Sequence, residues 1–131
     1  MLRVAAVLGF LYALAAPACA NEGEYLSDAL KHPAYKKAWA AMLAGEKGVP
    51  AWAGGGNLTA TPSVVVNADG TGYEFHTACK PHDCGGNALE VMFAIGGGQA
   101  WGLLQIVGQT PRFLGKPDAP KRIALERAIR Q

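Results

Sequence analysis

The sequence predicts an α+β domain: an antiparallel β-sheet of hairpins with helices packed on one side and a protruding disulfide-closed loop. Three observations carry that expectation. The apolar period changes from helical to two near Ser63 and returns to helical after Asp118. Glycine supplies 17 of the 131 residues, a share that suits turn-rich β structure better than a helical bundle. A chain of this length also holds one core of ordinary size and leaves no room for a second.

Residues 1–20, MLRVAAVLGFLYALAAPACA, read as a leader rather than as fold. A basic residue, Arg3, precedes an apolar run from Val4 to Ala16, and Ala18-Cys19-Ala20 forms a small-x-small cleavage site before Asn21. The run is short for a membrane span and no later segment is long enough, so the expectation is a cleaved signal peptide and a mature chain that does not insert into a membrane. The rival is a lipoprotein signal with Cys19 acylated; it fits less well because the usual Leu is missing and Pro17 sits inside the motif. Residues 21–131 then form a single exported domain. Losing Arg3 takes Lys+Arg from 12 to 11 against 10 acidic residues, so the net charge drops from +2 to +1. Binding of nucleic acid through bulk charge is excluded on that balance, and the 50% apolar, 17% charged composition excludes a disordered chain.

Asn21 to Leu30 reads as a short helix interrupted at His32-Pro33. Pro33 suits a first helical turn. Ala34, Tyr35, Ala38, Trp39, Met42 and Leu43 then recur at helical spacing as a core-facing stripe, with Lys36 and Lys37 turned away and Gly45 as the stop. Residues 46–62 are a loop by composition, with Gly48, Pro50, Gly54-Gly55-Gly56 and Pro62. The glycine triplet is no phosphate loop, because no Gly-Lys-Ser/Thr follows it. Ser63–Asn67 reads as a strand, Ala68-Asp69-Gly70 as a turn and Gly72–Cys79 as the returning strand. In Ala88–Ile95, Leu89, Val91, Phe93 and Ile95 alternate with Ala88, Glu90, Met92 and Ala94, a third strand. Gly96-Gly97-Gly98 turns it, Ala100–Val107 returns, and Pro111 to Pro120 is loop. Asp118 or a neighbour caps a last helix holding Arg122, Ile123, Leu125, Glu126, Ala128 and Ile129.

One segment carries chemistry: Cys79-Lys80-Pro81-His82-Asp83-Cys84, between the second and third strands. Once Cys19 leaves with the leader, two cysteines remain, and in an exported chain they most simply make one disulfide. So small a ring stabilises a fold by only about 2 kcal/mol in the loop-entropy account. Rigidity is the better reason for it: Pro81 fixes φ beside His82 and the ring clamps both ends, so little freedom is left to lose on binding. Four readings compete: a stapled turn, a thiol-redox site, a zinc site using His76, Cys79, His82 and Cys84, and a loop that inserts His82 into a partner's cleft. Four residues between the cysteines, in place of two, speak against redox chemistry. The one-residue gap between His82 and Cys84, in an oxidising compartment, speaks against zinc. No catalytic set is visible: there is no Ser-His-Asp constellation, no Gly-x-Ser-x-Gly and no nucleotide motif.

The Cys79–Cys84 motif resembles the signature loop of the inhibitor of vertebrate lysozyme family, the periplasmic lysozyme inhibitors of Gram-negative bacteria. The likeness extends to Pro33-Ala34-Tyr35-Lys36 with Ala38-Trp39, Ala60-Thr61-Pro62, Gln99-Ala100-Trp101-Gly102-Leu103 and Leu114-Gly115-Lys116-Pro117-Asp118, and so covers most of residues 25–131. The resemblance implies a non-enzymatic inhibitor of c-type lysozyme in the periplasm, with no cofactor or metal. Its loop enters the active-site cleft, His82 contacts both catalytic carboxylates, Lys80, Pro81 and Asp83 shape the loop, and Cys79 and Cys84 hold it. It also brings in a homodimer as an assembly to test. His32 and His76 are expected to be structural. A reading of another class stays beside this one: a periplasmic cell-envelope factor that uses the loop to bind a bacterial muramidase or peptidoglycan fragments.

Overall fold

The computed structural model describes residues 23–55 and 58–130; the expected leader, residues 1–20, lies outside the described residues. Its elements run α1 (Leu26–Ala29), α2 (Pro33–Leu43), β1 (Thr59–Ala60), β2 (Val64–Ala68), β3 (Thr71–Cys79), β4 (Ala88–Ala94), β5 (Ala100–Gln105), β6 (Arg112–Leu114) and α3 (Ala119–Ile129). All strand pairs are antiparallel, in the order β1-β3-β4-β5-β6, with β2 also paired to β3. The α+β class and the antiparallel hairpins are as expected. No helix among the described residues is long and apolar enough to cross a membrane.

Local chemistry explains most of the boundaries. Pro33 occupies the first turn of α2, where its missing N–H costs no helical bond. Asp118 caps α3 by accepting from the Lys121 backbone N–H at 3.3 Å. The β2–β3 hairpin closes on Asp69 (φ 53°) and Gly70 (φ 79°), a two-residue turn of the mirror-image type that matches strand twist. Asn67 Oδ1 supports it by accepting from the Gly70 N–H at 2.9 Å.

The helices do not share one side of the sheet, as the sequence suggested. Leu89, Val91 and Phe93 of β4 pack with Leu26, Ala38, Trp39 and Met42 of α1 and α2. Met92 faces the other way and packs with Phe75, Trp101, Leu103 and Leu125, under α3. The reason lies in the composition of β4. Both of its alternating sets are largely apolar, so both faces need covering, and a helix lies on each. Full burial of Leu125 alone contributes about 1.5–3 kcal/mol to holding α3 in place. Two strands were expected as loop. β1 adds two residues beside Cys79 and Ala78, and β6 pairs Arg112–Leu114 with Leu104–Gly102. Arg112 fastens β6 to the loop after α2 through the Lys47 carbonyl at 2.5 Å and Glu46 at 3.3 Å. Some elements end early, the first helix being only Leu26–Ala29 and the fourth hairpin strand stopping at Gln105, while β2 runs one residue later than expected, to Ala68.

Covering both faces buries polar groups that need partners. On the α3 face Glu90 is 3% exposed and accepts from the Thr77 hydroxyl at 2.7 Å; burial pushes its carboxyl above the usual range. On the opposite face the Tyr35 hydroxyl of α2 donates to Glu74, and burial, aided by that bond, raises the phenol well above its ordinary value. His76 lies near them, 1% exposed and edge-on to Phe93. Its ring bonds to the Thr61 backbone, while Nδ1 has no hydrogen-bond partner among the described residues.

Burial lowers the pKa of His76, against the opposing pull of the Thr61 backbone bond and of Glu74 and Glu24. The unfolded chain therefore binds a proton that the folded chain refuses. This contribution to stability is full above the unfolded value of about 6.5 and is lost as pH falls below it. Melting curves of the parent and of His76→Phe between pH 7.5 and 5.5 test this. The parent is expected to lose stability over that window and the variant to lose visibly less. Parallel losses would show that His76 does not titrate with unfolding.

Candidate functional site

The register Cys79↔Ala88 makes residues 80–87 the connection of the β3–β4 hairpin. Cys79, the last residue of β3, is buried, whereas Cys84 is exposed, and the two sulfurs are bonded with Cα atoms 5.0 Å apart. A six-residue ring is thus anchored at one end in the sheet. With both sulfurs in a disulfide, neither is a thiolate, so the zinc reading loses two of its four ligands.

Within the ring, the Asp83 N–H donates to the Lys80 carbonyl at 3.0 Å, closing a turn with Pro81 and His82 at its centre. His82 has φ 64°. Proline first and a positive φ second is the pattern of a type II turn. Histidine is one of the few side-chain-bearing residues found with some frequency in the left-handed region. The conformation leaves His82 exposed at the tip. The turn brings together all four expected contact residues, Lys80, Pro81, His82 and Asp83. Lys80 Nζ and Asp83 Oδ2 stand 3.7 Å apart with both side chains about half exposed. Such a pair is worth at most about 1 kcal/mol. It nonetheless sets the two loop charges against each other and leaves the imidazole as the loop's unengaged polar group. Of the other histidines, His76 is buried, and His32 lies beside Glu24 with Nε2 3.0 Å from Oε1.

Sequence reasoning missed one residue of this site. Asn87, 6% exposed, ties the loop together from its base. Its carbonyl accepts from the Lys80 N–H at 3.0 Å, and its side-chain amide donates to Asp83 Oδ2 at 2.8 Å. Its Oδ1 also accepts from the Val107 N–H of the β5–β6 turn at 3.5 Å. The available signal was an Asn directly before an apolar strand, a residue type that bonds to nearby backbone and seldom serves a strand interior. Nothing in the spacing points to Val107, twenty residues on.

The arrangement is chemically simple. It holds no nucleophile with an adjacent base, and no group of three or more potential metal ligands exists among the described residues. It offers an imidazole with two ring nitrogens pointing apart, on a turn restrained by a proline, a disulfide and a buried asparagine. That is a shape for filling a concave site that presents acceptors.

Comparison with known proteins follows the same line. A family model described as inhibitor of vertebrate lysozyme matches residues 34–129. A Pseudomonas aeruginosa protein named "Inhibitor of vertebrate lysozyme" is 41% identical over 128 residues, covering 87% of this chain and 83% of that protein. An Escherichia coli K12 protein of the same name is 33% identical over 96 residues, covering 73% of this chain and 60% of the relative. An uncharacterised Yersinia pestis protein is 35% identical over 93 residues, covering 71% and 60% respectively.

Proposed function

The chain belongs to the inhibitor of vertebrate lysozyme family, and on that premise we propose that it is a proteinaceous inhibitor of c-type lysozyme that acts through the Cys79–Cys84 loop. The family is one of protein inhibitors, not enzymes. In this reading the loop protrudes into the lysozyme cleft, His82 engages the two catalytic carboxylates, and Lys80, Pro81 and Asp83 shape the inserted turn. The protein works in the periplasm after its leader is removed and protects peptidoglycan there.

The observation that carries this reading is the exposed His82 at the tip of a turn restrained on three sides. A glycosidase cleft presents two carboxylates flanking the scissile bond, one with a raised pKa and one ionised. An imidazolium donates from both nitrogens, so one side chain can satisfy both groups. Restraint matters as much as chemistry, because each ordered side chain otherwise costs about 0.5–1.5 kcal/mol on association.

The test is a titration of the mature protein against a vertebrate c-type lysozyme and, in parallel, against bacterial muramidases and lytic transglycosylases. Stoichiometric loss of lysis by the vertebrate enzyme alone is the expected result. Inhibition confined to the bacterial enzymes would replace this reading with that of an envelope factor.

A further inference from the structure

We infer that the β5–β6 turn, residues 106–109, is a second part of the lysozyme-binding face, with Val107 as its apolar contact; the inference rests on the loop reading above. Size is the first argument. A stable interface engages roughly 20–30 residues a side, far more than a four-residue tip offers. Elements beside the loop must therefore be covered when it inserts. The register Ala88↔Gln105 puts the β5–β6 turn next to the loop's base, at the same end of the sheet.

The second argument is the way the two are joined. Asn87 bonds to Lys80 and Asp83 in the loop and to Val107 in the turn. Gly86 allows the approach: a Cβ there would lie 3.1 Å from Val107 Cβ, tighter than side chains normally pack. The turn itself is closed by the Gln109 N–H donating to the Ile106 carbonyl at 3.0 Å, with Gly108 at φ 76°. Loop and turn therefore form one restrained unit.

The third argument is Val107 itself. At 69% exposure it is the most exposed large apolar side chain among the described residues. A single exposed valine is ordinary. One held by its own backbone against a cleft-entering loop is placed for the lip of that cleft, and ligand clefts are lined mainly by apolar and aromatic groups. Asn87 is a positioning residue in this scheme, acting through Val107 and Asp83.

Calorimetry or surface-based kinetics with the mature protein and a vertebrate c-type lysozyme tests the inference. Val107→Ser is expected to raise Kd about tenfold, mostly through the off-rate, with no change in melting temperature. In an Asn87→Ala background, where the turn is no longer tied to the loop, the same change is expected to cost less than about threefold. If Val107→Ser stays within about twofold of the parent while His82→Ala weakens binding, the second contact is wrong and the loop reading stands. If the complex forms but neither variant affects it, both are wrong; so they are if no complex forms. A full tenfold loss in both backgrounds would overturn the role assigned to Asn87.

Discussion

Replacing His82 by alanine is expected to weaken the complex with a vertebrate c-type lysozyme by roughly thirty- to several-thousandfold, with the fold intact. The side chain is exposed at the loop tip and makes no packing contribution to the apolar cluster on either face of the sheet. In the proposed complex, its loss would leave two enzyme carboxylates covered by a loop that no longer satisfies them. Truncating one partner of such a desolvated charged contact costs about 2–5 kcal/mol, and each 1.4 kcal/mol is tenfold in Kd. The positive φ at this position calls for a control, since alanine is less at home there than histidine. His82→Asn supplies one: asparagine tolerates the left-handed region but carries no cationic pair of donors. It is expected to fold like the parent and still lose most of the affinity. Near-parental binding by both variants would remove His82 from the mechanism.

Tyr35→Phe is expected to lower folding stability by about 2–4 kcal/mol while leaving inhibition by the folded fraction unchanged. Tyr35 is 6% exposed and Glu74 is 4% exposed, and the phenol donates to the carboxylate between α2 and β3. Removing the donor leaves Glu74 buried without it. A stranded polar group costs about 1–3 kcal/mol, and a charged one more. For a domain of this size that corresponds to a fall in melting temperature of roughly 10 °C. Tyr35 packs against Gly97, in the turn after β4, at the far end of the sheet from the Cys79–Cys84 loop. Stability and binding should therefore separate. Adding Glu74→Gln is expected to recover part of the loss, since the two changes act on one contact. A single-variant loss below about 0.5 kcal/mol would show that solvent already satisfies Glu74.

Much of this molecule is legible from local chemistry. Pro33 starts α2 and Asp118 caps α3 because each residue acts on backbone groups within its own turn. The Asp69-Gly70 turn and the period-two runs mark the hairpins for the same reason. The candidate loop is equally local: two cysteines, a proline and a histidine within six residues define a ring, a fixed φ and a tip.

What only the tertiary structure decided depends on partners distant in sequence. Period-two alternation in β4 sorts residues onto two faces, but it does not say which element covers which face. That took α2 on Phe93 and α3 on Met92. β1 and β6 are too short to carry a period of their own and exist because β3 and β5 offer them free hydrogen-bonding edges. Burial of Glu74, His76 and Glu90 follows from covering both faces, and no residue beside them in sequence announces it. The histidine at the loop tip could be found from six residues. Its bracing needed Asn87 and Val107 to meet across two hairpins, and a hydrogen bond spanning twenty residues is written in the register of the sheet.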